Sequence, residues 1–143
     1  DTYVVSWGFI EGANIIVDGM VGYRPTITAN QVTGKVITIP VQSDNVTSFI
    51  LALAERLSHR GTLLEVVFDQ WNSQSSITRL RNEGIVAVET FFTNKYKNEM
   101  YTNFLEKLNQ GAVRVFGKEP LNRPAGCPEY KPGWIEQMKL ELK

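Results

Sequence analysis

Leu63-Leu64-Glu65-Val66-Val67-Phe68-Asp69-Gln70-Trp71-Asn72-Ser73 sets a nearly unbroken apolar run against an acid and then turns polar at once. Leu63 to Phe68 reads as a strand, and its lack of alternation is the pattern of a strand covered on both faces, as in α/β sheets. Asp69 follows directly. In open α/β sheets binding groups collect beyond the carboxyl ends of the strands, where a carboxylate can take a hard cation such as Mg²⁺. The same acid suits a plainer role, capping the next helix or its turn. Asn72 or Ser73 is the expected cap of that helix.

Toward the carboxyl terminus the unit repeats. A helix is predicted around Gln74 to Glu83, stopped by Gly84, with the strand Ile85-Val86-Ala87-Val88 after it. A further helix carrying Met100, Tyr101, Phe104, Leu105 and Leu108 ends near Gly111, and Val113-Arg114-Val115-Phe116 makes the next strand. Lys118 to Gly133 reads as a loop, and Trp134, Met138 and Leu142 open a last helix. Toward the amino terminus, Val46, Phe49, Ile50, Leu53 and Leu57 fall on one helical face. Ser43 or Asp44 is the expected cap there and Gly61 the stop. Three helix–glycine–strand units in succession are α/β architecture.

The first forty residues alternate with a period of two. Tyr3, Val5, Trp7 and Phe9 share one face of a strand, Glu11-Gly12 makes a tight turn, and Asn14 to Tyr23 returns. Arg24-Pro25-Thr26 breaks the pattern, since proline cannot donate to a ladder. Lys35 to Ile39 is a third strand, and the short connections predict an antiparallel meander. Three antiparallel strands followed by alternating helices and strands is the order of a ribonuclease H-like fold with a mixed sheet, an order that an unrelated α/β fold could share.

Bulk properties narrow the field. The 143 residues suit a single domain, 43% hydrophobic and 21% charged. Fifteen basic and fifteen acidic side chains cancel, so any grip on nucleic acid rests on local clusters of Lys and Arg. A single cysteine, Cys127, excludes an internal disulfide and a Cys-based metal cluster, and a single histidine, His59, excludes a multi-His zinc site. No apolar run approaches the ~20 residues of a membrane span, so a soluble intracellular protein is expected. Asp1-Thr2-Tyr3 opens inside strand-like sequence and Leu140 to Lys143 stops inside a helical pattern, so both ends read as cuts.

The run Val66-Val67-Phe68-Asp69-Gln70-Trp71-Asn72-Ser73, the helix before Gly84-Ile85, and Phe92-Thr93-Asn94-Lys95-Tyr96-Lys97-Asn98-Glu99-Met100-Tyr101 resemble the nuclease domain of tailed-phage large terminases. Tyr101, Phe104, Leu108, Gly111 and Val113 continue the progression, so the resemblance spans nearly the whole chain. It implies a ribonuclease H-like endonuclease that cuts double-stranded concatemeric viral DNA during packaging, with two Mg²⁺ or Mn²⁺ ions. It makes Asp69 a catalytic metal ligand. Asp1, before Thr2-Tyr3-Val4-Val5, resembles a second such acid; further acids of the family lie outside this sequence. The implied partners are the terminase ATPase domain, the small terminase subunit and the portal, in the cytoplasm of an infected bacterium. No GxxxxGK[ST] loop occurs, so the chain holds no trace of the ATPase half.

Two-metal nucleases need several carboxylates converging on ions ~4 Å apart, which Asp69 alone cannot supply. Lys95 and Lys97 are expected to contact DNA phosphates or to stabilise charge during cleavage; a solvated surface is the plain alternative. Arg79 is a DNA-binding candidate, as is Arg81, against the plain reading of exposed helix charges. Trp71 could wall the site or stack on a base, or pack between helix and sheet. Asp18 is expected mid-strand facing solvent, His59 in a last helical turn, and Cys127, Tyr130 and Trp134 in ordinary structural roles. Two other readings stay open: a non-catalytic DNA-gripping or assembly module on the same fold, and another ribonuclease H-like enzyme such as a resolvase or integrase.

Overall fold

The computed structural model describes residues 2–70, 73–115, 117, 130, 131 and 133–141. Its element order is β1 (Tyr3–Glu11), β2 (Asn14–Tyr23), β3 (Thr26–Ala29), β4 (Val36–Ile39), α1 (Ser43–Leu57), β5 (Val66–Asp69), α2 (Gln74–Asn82), β6 (Ala87–Thr90), α3 (Asn94–Asn109), β7 (Val113–Val115), β8 (Tyr130–Lys131) and α4 (Trp134–Glu141). The class is α/β with a mixed sheet. The chain gathers into two compact units, Asp1–Val41 with Asn103–Lys143, and Gln42–Thr102.

In the first unit β1 and β2 form the expected antiparallel pair, closed by a two-residue turn between Glu11 and Asn14. The register slips between Trp7 and Gly8: Trp7 faces Gly19 and Gly8 faces Val17, which leaves Asp18 as the extra residue of a bulge. Asp18 is half-buried there, not simply turned to water. The Trp7 indole occupies the space a side chain on Gly19 would need. β7 pairs parallel with β2, and β8 pairs antiparallel with its far end, so the sheet is mixed. Ile16, Val21, Tyr23, Ala112 and Ile135 are buried in this unit.

The expected three-stranded meander does not form. Val36–Ile39 pairs with Thr26–Ala29 instead of with β2. Pro25 ends β2, and the Asn30 carboxamide oxygen accepts from the amides of Val32 and Thr33, tightening the turn that brings β4 back onto β3. The nearest available partner in sequence wins.

In the second unit α1 packs on α2, and α2 packs on β6. Val46, Ile50, Leu53, Ile77, Leu80 and Ala87 are its buried apolar groups. Between the helices, Thr47 Oγ1 lies 2.8 Å from Ser76 Oγ and 2.9 Å from the Ser43 carbonyl oxygen. Thr47 has one hydroxyl proton, so donation to Ser43 leaves its oxygen to accept from Ser76. β5 and β6 run parallel, Val66 beside Ala87 and Asp69 beside Thr90.

Several boundaries differ from expectation. β5 starts at Val66, with Leu63 to Glu65 outside it, and Asp69 is its last residue. Leu64 is 82% and Val67 51% exposed, so the apolar run is not a strand covered on both faces. β6 lies at Ala87–Thr90, two residues beyond the predicted start. The third helix–glycine–strand unit sends its strand, β7, to β2 and not to β6.

The glycine stops of α2 and α3 do form, and they share one geometry. Gly84 has φ +77° and Gly111 has φ +67°. After α2, the Gly84 amide donates to Arg81 O and the Ile85 amide to Leu80 O. After α3, the Gly111 amide donates to Leu108 O and the Ala112 amide to Lys107 O. This is the left-handed C-terminal cap, which glycine adopts without a Cβ penalty. The N-caps are less regular: α1 is entered through Gln42, not Ser43 or Asp44, and no side chain caps it.

Candidate functional site

The carboxyl ends of the parallel strands β5 and β6 define the place to look. Asp69 closes β5, is exposed, and lies beside Thr90, the last residue of β6. From Thr90 the chain passes Phe91 to Thr93 and enters α3, so Lys95 follows Thr90 by five residues. Five residues of chain reach at most about 17 Å. Lys95, and Lys97 two residues on, thus enter the first turn of α3 a short length of chain after the end of β6.

That end also receives two helix N-termini. α3 is capped by Thr93, whose hydroxyl oxygen accepts from the Tyr96 amide at 3.2 Å. Lys95 and Lys97 stand in its first turn and are exposed, and Lys95 Nζ lies 3.9 Å from Glu99 Oε1. Such an exposed i,i+4 pair holds weakly, so the lysine can be drawn to another anion. Positive side chains beside the positive end of a helix dipole suit phosphate better than they suit the isolated helix.

α2 enters through Ser73, at the N-cap position expected for Asn72 or Ser73, but no side chain caps its backbone. The Ser73 hydroxyl donates to Glu89 Oε1 at 3.0 Å, and the Gln74 carboxamide donates to Glu89 Oε2 at 3.1 Å. Successive side chains of a strand alternate. Ala87 and Glu89 therefore share the α2 side of the pair with Val66 and Phe68, and Asp69 lies with Val67, Val88 and Thr90 on the opposite face. The N-cap position of α2 is Ser73.

Arg79 is not brought to this end. It sits in the last turn of α2, where its Nη1 lies 3.8 Å from Asp44 Oδ1 on α1. Arg81 donates through Nε to the Ala87 carbonyl at 2.9 Å, tying α2 to β6. His59 is exposed beyond α1, which ends at Leu57, and not in its last turn. Asp1, Trp71, Asn72 and Cys127 lie outside the described residues, as do the side chains of Tyr130 and Trp134. Glu89 carries no motif in the sequence; its bonds to Ser73 and Gln74 bridge fifteen or more residues.

Asp69 offers hard oxygen donors at an exposed strand end, which fits one ligand position of a divalent cation. Among the described residues no three His, Cys, Asp or Glu side chains come together as a metal-holding group, so they supply Asp69 and not a complete donor set. No described helix is long and apolar enough to cross a membrane. Compared with known proteins, the chain matches no family model, no curated protein and no solved structure.

Proposed function

We propose that this chain is the ribonuclease H-like nuclease core of a tailed-phage large terminase, a Mg²⁺- or Mn²⁺-dependent endonuclease acting on double-stranded concatemeric DNA. One observation carries the reading. Asp69, inside the Val66-Val67-Phe68-Asp69-Gln70-Trp71-Asn72-Ser73 run, is exposed at the carboxyl end of a parallel strand pair, the end that also leads into Lys95 and Lys97. Acid for the cation and lysines for the phosphates are the two chemistries a DNA-cutting site needs.

In this reading Asp69 and Asp1 are metal ligands. Asp69 and Asp1 would hold divalent ions, and the chemistry the ions would supply there is activation of water and stabilisation of the departing oxygen in phosphodiester hydrolysis. The chain's own part is to hold the Asp69 carboxylate at the strand end and to draw the DNA backbone toward it through Lys95 and Lys97. The ATPase domain, the small terminase subunit and the portal are the partners that go with this assignment, in the cytoplasm of the infected host.

The test is nicking of supercoiled plasmid with Mn²⁺ by the chain and by Asp69→Ala, with circular dichroism confirming that the variant folds. Cutting by the native chain and none by the variant supports the assignment. Undiminished cutting by Asp69→Ala removes it. Salt-sensitive DNA binding with no cutting by the native chain favours the DNA-gripping module.

A further inference from the structure

We draw no further inference here: the strongest candidate, the surface of α3 that exposes Tyr96, Met100, Tyr101 and Leu105, carries nothing because no feature of the described residues shows what covers it.

Discussion

Replacing Thr47 by Val deletes one hydroxyl from the contact between α1 and α2 and changes little else in shape. Thr47 is 1% exposed and Ser76 5% exposed, and their oxygens lie 2.8 Å apart. The variant leaves the Ser76 hydroxyl buried without its cross-helix partner, at a cost of about 1–3 kcal/mol. Ser76→Ala strands the Thr47 hydroxyl less completely, because Thr47 Oγ1 still reaches the Ser43 carbonyl at 2.9 Å, so its cost is about 1 kcal/mol. Removing both hydroxyls leaves nothing unsatisfied, and the double variant should lose about 1–2 kcal/mol less than the sum of the singles. Urea unfolding followed by circular dichroism reads this directly. With a denaturant slope of roughly 1.5–2 kcal/mol per molar, Thr47→Val lowers the midpoint by about 1 M. A double variant whose loss equals the sum of the two singles would refute the hydrogen bond between these helices, and with it the packing that seats α2.

Further outcomes follow from the same unit. Gly84→Ala forces a Cβ into φ +77° with open space around it, so the cost is backbone strain alone, about 1–2 kcal/mol. Gly61→Ala, also in open space and without a positive φ, should stay within about 0.5 kcal/mol in the same unfolding measurement. Leu80 is fully buried, and Leu80→Ala should cost about 2–5 kcal/mol, read as a fall in the thermal midpoint. On the proposed nuclease reading, Lys95→Ala and Lys97→Ala should each weaken DNA binding and reduce its logarithmic salt dependence by about one. Arg79→Ala, which breaks an exposed pair with Asp44 away from that end, should leave both DNA affinity and stability nearly unchanged in titrations over a range of salt.

The elements legible in the linear pattern are those whose instructions are local. The β1–β2 hairpin follows from strict alternation around a two-residue turn, and the helices from apolar spacing. The ends of α2 and α3 follow from glycines that adopt positive φ at those positions. Asp69 at a strand end was readable for the same reason: an apolar run closing on an acid needs no distant partner to be seen. Its exposure was not, because an apolar run says nothing about whether another layer covers it, and Val67 turns out half-exposed.

Pairing between strands is a different matter. It depends on which backbone edges meet, and residue types along one segment do not encode that choice. So β4 joins β3 instead of β2, and β7 joins β2 instead of β6. Glu89 illustrates the same divide at the scale of one side chain. In the chain it is an ordinary acid in Ala87-Val88-Glu89-Thr90; its engagement with Ser73 and Gln74 exists because β6 lies parallel to β5 and α2 packs back on β6. Local propensity writes hairpins, helices and strand ends, whereas long-range hydrogen bonds and packing select the neighbours that give those pieces their roles.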